Sequence, residues 1–230
     1  MSQLAPTVCL LGGESTGKST LARDLHRHLR GIGVSAVLVP EHLRAWCEQR
    51  GRAPLAHEQA DLAATQHRLI DSARRQPGVD LVLADTSGLM VAVYSELYFD
   101  DASLYPGALA HQSSYDLTLL MGLDLPWVAD GLFRDSPAIR QATDVALRRE
   151  LSRAGLPFHT VYGQGQDRMA AALRPMHHGL AQGLGRPLAP PPAAGRPRAS
   201  GWVCDRCSDP ECEHRLFSRL MASRRTDGNQ

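Results

Sequence analysis

The sequence predicts an α/β protein: a five-stranded, mostly parallel sheet with helices on both faces and a lid, plus a short C-terminal Cys-rich appendage. Three observations lead there. A glycine-rich pattern, G-x-x-x-x-G-K-[ST], sits between an apolar run and a helix-like run in "TVCLLGGESTGKSTLARDLHRHL". Short continuous apolar runs alternate with amphipathic ones, the signature of parallel strands buried on both faces. Each apolar run closes on a polar or glycine-rich stretch, and the carboxyl ends of parallel strands are where such sheets bind ligands.

The first strand is "TVCLLG", and the loop after it holds Gly12, Gly13, Glu14, Ser15, Thr16, Gly17, Lys18, Ser19 and Thr20. The glycines let backbone N–H groups turn inward around phosphate oxygens, and the following helix start adds partial positive charge. Lys18 is placed to reach β- and γ-phosphates, and the Ser19 hydroxyl suits Mg²⁺. This is the P-loop NTPase fold in outline, and the chain is expected to bind a nucleoside triphosphate.

"VSAVLVP" reads as the second strand, followed by Glu41, Arg44 and Trp46. A carboxylate at this edge can accept the proton of an acceptor hydroxyl, or can simply favour the dipole of a helix start. The residues leave both open. "VDLVLADT" is the third strand; Asp85 is expected to hold Mg²⁺, with helix capping by Asp85 or Thr86 as the plainer role. Thr86 and Ser87 read as supporting or capping groups. The fourth strand, "YDLTLLMGL", leads into "LDLPWVADGLFRDSPAIRQ", which brings Asp124, Trp127, Asp130, Arg134 and Arg140 together on a lid-like segment. Lid arginines can close over a triphosphate and neutralise transferring oxygens, and Arg134 or Arg140 can equally be solvated surface charge. "LPFHTVYG" is the fifth strand, and "VYGQGQDRMAAAL" turns into a helix with Arg168 beside an expected adenine site. Residues 56–75 and 138–154 carry helical spacing.

At 230 residues the chain is long enough for one such domain, expected over residues 1–182, and an appendage. Lys+Arg of 25 against Asp+Glu of 24 leaves no strong field for nucleic acid or an acidic membrane surface. No apolar run approaches the roughly 20 residues of a spanning helix, and no signal peptide precedes the first strand, so a cytoplasmic protein is expected. Cys9 and Cys47 fall in apolar or amphipathic segments and read as reduced, ordinary side chains. Residues 183–201, "GLGRPLAPPPAAGRPRASG" with its flank, read as an extended linker. In the tail, 202–230, Cys204, Cys207, Cys212 and His214 are spaced C-x₂-C-x₄-C-x-H. The Asp209-Pro210 turn would fold the chain back to complete a closed tetrahedral Zn²⁺ site. An Fe–S cluster, a redox dithiol or unligated thiols stand as alternatives, and the tail could also dock a protein partner.

Taken together, "GGESTGKSTL", "PEHLRAW", "LADTSGLMVAVYSELYF", "YDLTLLMGLDLPWVADG" and "VYGQGQDRMAAAL" resemble the NadR-like P-loop family, whose best-known member domain is a ribosylnicotinamide kinase. The resemblance covers roughly residues 5 to 180, and "PE…W" is also similar to the deoxynucleoside kinases. It implies ATP–Mg²⁺ as phosphoryl donor and a ribosyl hydroxyl of a small nucleoside-like substrate as acceptor. Gly12 to Thr20 would hold phosphates, Asp85 the metal, Glu41 the acceptor hydroxyl, and Arg134 and Arg140 the closing lid. Trp127 and Asp130 would belong to the lid or the acceptor pocket, and Arg44 is expected on the acceptor side. The chain departs from the pattern in lacking an HxGH motif, so it is not expected to make NAD. It also departs in placing His42 where an aromatic is expected after the Glu, and in spacing the lid as "DGLFRD". The rival reading is an ATP-binding regulatory module with an interaction tail; another is a kinase for a different nucleoside or metabolite. Glu41 and the lid separate these, since a regulator needs no base beside an acceptor.

Overall fold

The computed structural model describes residues 4–128 and 136–180. All five expected strands form one sheet: β1 (Thr7–Leu11), β2 (Ala36–Val39), β3 (Leu81–Asp85), β4 (Leu117–Met121) and β5 (His159–Val161), in the order β2-β3-β1-β4-β5. Every pairing is parallel, so the sheet is wholly rather than mostly parallel. The register aligns Leu10 with Asp85 and Val39 with Ala84, which brings the ends of β1, β2 and β3 to one edge.

The helices are α1 (Lys18–Gly31), α2 (His42–Arg50), α3 (Gln59–Arg74), α4 (Gly88–Phe99), α5 (Tyr105–Gln112), α6 (Pro137–Arg153) and α7 (Gly165–Leu180). Strand side chains alternate between two cores, which is why the strands read as continuous apolar runs. Val8, Leu10, Leu81, Leu83, Leu119 and Met121 meet α1 and α7 through Leu21, Leu25, Leu29, Leu173 and Met176. Cys9, Leu11, Val82, Ala84 and Leu120 face the opposite way, onto α3 to α6 through Ile70, Leu89, Ala108, Leu147 and Leu151. A smaller cluster of Leu62, Ala63 and Val91, with Leu43, Trp46 and Leu104 against it, joins α2, α3 and α4. Among the described residues no helix is long and apolar enough to cross a membrane.

The segment read as helical over 56–75 becomes a short 3-10 turn, Ala56–Glu58, running into α3. Glu58 sets that junction: its carboxylate takes both Arg52 Nη1 and Nη2 at 2.7 Å and the Leu55 N–H at 2.8 Å. Cys9 and Cys47 are buried free thiols, and burial pushes Cys9 up to about 12, so it is inert at neutral pH.

α3 and α5 meet at an imidazole pair. His67 and His111 stack with centroids 3.9 Å apart, and the His111 ring is flanked by the Tyr115 hydroxyl at 2.8 Å and Asp71 at 3.3 Å. The other edge of His67 lies against the first residue of α4: a Cβ on Gly88 would sit 2.1 Å from His67 Nε2. Burial first, and then repulsion from His111, lowers His67 to about 4, with Asp71 opposing. The folded protein therefore holds this imidazole neutral. The stability it contributes is full above its ordinary value of 6.5 and is lost as pH falls toward about 4. Urea unfolding midpoints measured across that window should fall for the parent protein and fall less steeply for His67→Gln; parallel profiles would remove His67 as a source of the acid sensitivity.

Candidate functional site

The carboxyl edge of β1, β2 and β3 gathers three charged groups. Lys18 opens α1, Glu41 follows β2, and Asp85 ends β3. Lys18 Nζ lies 2.6 Å from Asp85 Oδ1 and 3.5 Å from Glu41 Oε2. Burial works against the lysine charge, but the two carboxylates outweigh it and hold the ammonium above its ordinary value. Glu41 occupies the N-cap position of α2 without capping it. Its carboxylate turns toward the lysine instead, so the dipole-favouring role is not the one its side chain takes up. Capping at the next corner is likewise done by neither Asp85 nor Thr86. Ser87 accepts from the Leu89 N–H at 3.2 Å and donates to Gln112 Oε1 at 2.7 Å.

The loop between β1 and α1 enters the helix through Gly17, which has φ 73° and offers no side chain to the free amides of the first turn. A Cβ on Gly17 would stand 2.8 Å from Leu125 Cδ1, so the chain after β4 lies directly over this point. Ser15 donates to the Val128 carbonyl at 2.8 Å, which keeps Trp127 and Val128 beside the loop. Ser19 is half-buried within the first turn of α1, and Thr20 is exposed.

Arg168 ties the loop to its neighbours. This buried guanidinium donates to the carbonyls of Thr16 at 2.6 Å and Gly163 at 2.9 Å, and to Asp124 Oδ1 at 3.1 Å. Asp124 also accepts the Gly163 N–H at 2.6 Å. Arg168 thus clasps the phosphate loop from behind. Arg140 sits in α6, which starts where Ser136 caps the Ile139 N–H and Pro137 fills the first helical position. It is fixed to that helix rather than carried on a lid, and its guanidinium donates to the Leu125 carbonyl at 2.7 Å. A Cβ on Gly13 would lie 3.4 Å from the Arg140 carbonyl oxygen, so α6 backs the loop closely. Burial lowers Arg140 from its ordinary value; Asp124 opposes this, and repulsion from Arg168 adds to it. Further along α6, Asp144 pairs with Arg148 at 2.9 Å, and Arg148 reaches Thr160 of β5 at 3.3 Å.

The remaining expected residues divide clearly. Arg44 lies half-exposed on α2, 3.4 Å from Glu48 and away from the charged trio. Trp46 is covered by the guanidinium groups of Arg50 and Arg52 at 5.6 and 5.0 Å. Asp130, Arg134 and the cysteine cluster at Cys204, Cys207, Cys212 and His214 fall outside the described residues. Sequence reasoning missed the clasp made by Asp124, which "GLDLP" signals only as a turn acid, and the buried Thr143 beside Gly13.

These surroundings fit a triphosphate and its metal. Among the described residues the first turn of α1 has no side-chain cap, and the buried Arg140 Nε, Thr143 Oγ1, Arg168 Nε and Thr86 Oγ1 have no hydrogen-bond partner. Lys18 meets Asp85 at 2.6 Å, and Ser19 follows the lysine in the first turn of α1, which places the charged and hydroxyl groups such a ligand needs at one strand edge.

A family model described as an AAA domain matches residues 7–168. No curated protein matches the chain. Among solved structures, a NadR protein in complex with NAD and AMP-PNP aligns with TM-score 0.63 at 20% identity, over 81% of this chain and 51% of that one. A NadR protein in complex with NR gives 0.64 at 23% identity, over 76% and 52%. Thymidylate kinase from Ehrlichia chaffeensis gives 0.55 at 14% identity, over 75% and 97%. This chain spans about half the length of the NadR chains, and the likeness establishes the P-loop NTPase fold.

Removing the clasp takes the donor from the buried Thr16 carbonyl, the Gly163 carbonyl and one oxygen of Asp124, whose other oxygen keeps the Gly163 N–H. Arg168→Ala should therefore cost about 2–3 kcal/mol of stability, with Arg168→Lys recovering only part because an ammonium cannot span the three acceptors. Urea denaturation reads this directly, and a midpoint equal to the parent's would refute the clasp.

Proposed function

The chain belongs to the AAA domain family, and on that premise we propose that it is an ATP-dependent small-molecule kinase. It would transfer the γ-phosphoryl group to a nucleoside-like hydroxyl, with nicotinamide riboside the first acceptor to test, in the cytoplasm. The observation that carries this reading is Glu41: a carboxylate 3.5 Å from the phosphate-loop lysine, at the strand end next to Asp85 and not engaged in capping its own helix. A module that only binds ATP needs no such group. Transfer to an alcohol does, because the acceptor proton must leave as the new P–O bond forms.

Each side chain then has one task. Lys18 would exchange Asp85 for phosphate oxygens of the nucleotide, and Ser19 and Asp85 would hold Mg²⁺, which would supply neutralisation of the phosphate charge. Arg140 contributes positive charge from the α6 side of the loop. Arg168 holds the Thr16 carbonyl, which would leave the loop amides to meet phosphate oxygens. Glu41 accepts the acceptor proton. Trp127, Asp130 and Arg134 are assigned to the acceptor pocket and its cover.

Incubating the protein and Mg-ATP with a panel of nucleosides, nicotinamide riboside included, should give a phosphorylated product by mass spectrometry. Lys18→Ala should stay folded and abolish turnover. Glu41→Gln should lower transfer about 10²-fold while changing ATP affinity little. ATP hydrolysis with no phosphorylated product from any acceptor would replace this reading with that of a regulatory ATPase module.

The proposal extends to the tail, where Cys204, Cys207, Cys212 and His214 offer thiolates and an imidazole to one structural Zn²⁺. Linker composition separates it from the kinase domain, so the metal would be structural or partner-facing. Purified protein should carry about one zinc per chain, lost on changing Cys207 and Cys212 to Ser with ATP binding retained. A brown, iron-containing protein, or one without metal, would overturn the zinc assignment.

A further inference from the structure

The corner between β3 and α4 contains two features that packing does not explain. Thr86 is β-branched yet has φ 89°, in the left-handed region where such residues are outliers. Its hydroxyl is buried and has no hydrogen-bond partner among the described residues. Both cost stability, and both occur in the residue directly after Asp85. The surroundings hold the corner in place. The Thr86 N–H donates to the Leu10 carbonyl at 3.1 Å, and Ser87 is anchored to Gln112, whose amide donates to Thr118 Oγ1 at 2.9 Å. A conformation so disfavoured persists where structure on every side over-determines it, and such places concentrate at functional sites. β3 lies between β2 and β1, so Thr86 stands on the crest between the strand end that carries Glu41 and the loop that carries Lys18.

We propose that Thr86 is a further binding residue of the phosphoryl-transfer site. Its strained backbone holds the hydroxyl at the crest, where it donates a hydrogen bond to an oxygen of the bound nucleotide–metal assembly. In the protein alone that hydroxyl waits unpaired; the loaded site supplies its partner. The inference rests on the kinase reading of the site, and the test separates the two.

Thr86→Val removes the hydroxyl and keeps the shape, while Thr86→Ser keeps the hydroxyl. Melting temperature is read without nucleotide and with Mg–AMP-PNP, alongside the transfer rate. The Val variant should melt no lower than the parent without nucleotide, because an unpaired buried hydroxyl contributes nothing to the fold. It should show a smaller nucleotide-induced rise, and transfer about tenfold to a hundredfold slower, the value of one hydrogen bond to a charged oxygen. Thr86→Ser should restore both. A Val variant that melts lower without nucleotide would make the hydroxyl structural, and one that keeps the parent's nucleotide-induced rise and transfer rate would remove it from the site. A parent protein whose melting does not rise with Mg–AMP-PNP would instead sink the kinase reading itself.

Discussion

A single ammonium group organises this molecule. Lys18 is buried at the point where three parallel strands end, and without Asp85 and Glu41 around it a charge in that position could not be tolerated. The three residues come from loops far apart in sequence, so their meeting depends on the register of β1, β2 and β3. That register follows from strands whose two faces are both apolar: a slip would move leucines and valines between cores that α1 and α7, or α3 to α6, already fill. The arrangement is also labile by design. A lysine held by carboxylates keeps its place in the absence of phosphate and loses little by exchanging one anion for another.

The loop around the lysine is held from both faces of the sheet. Arg168 from α7, which shares a face with α1, Asp124 after β4 and the α6 backbone near Gly13 on the other face make a rigid seat for it. A glycine-rich loop has the conformational freedom to collapse, and backbone carbonyls fixed from behind remove that freedom before any ligand arrives. Preorganisation here comes from a buried arginine rather than from the glycines.

Much of this was legible in the sequence, and the exceptions have physical causes. The three inner strands β1, β3 and β4 announced themselves because both of their faces are buried, whereas the edge strand β5 (His159–Val161) is polar and partly exposed and was legible only from its flanks in "LPFHTVYG". The phosphate loop, Glu41 and Asp85 were visible because each follows such a run directly. α4 gave no periodic signal, since "GLMVAVYSELYF" is apolar on every side and is wedged between the sheet and neighbouring helices. Arg140 read as a lid residue although it already lay inside the helical spacing of 138–154, because it sits one turn from a segment rich in turn residues; the Ser136-Pro137 start fixes it to α6. Arg168 read as an adenine neighbour because its three acceptors lie at positions 16, 124 and 163, which only the folded chain brings together. The positive φ of Thr86 left no trace at all, because a threonine after a strand is ordinarily extended.

The close approach of His67 to Gly88 carries a consequence for how such sequences vary over time. With 2.1 Å between the imidazole and the place where a Cβ would stand, the two positions form one volume shared by two elements. Even alanine at position 88 would run into the ring at 67, and a larger group at 67 is open only while 88 stays glycine. Drift at these two sites is therefore paired: filling the space on α4 requires the ring on α3 to move or to shrink. A lineage that lost the glycine while the ring stayed in place would displace the helix start beside Asp85, so the route through sequence space runs by way of position 67.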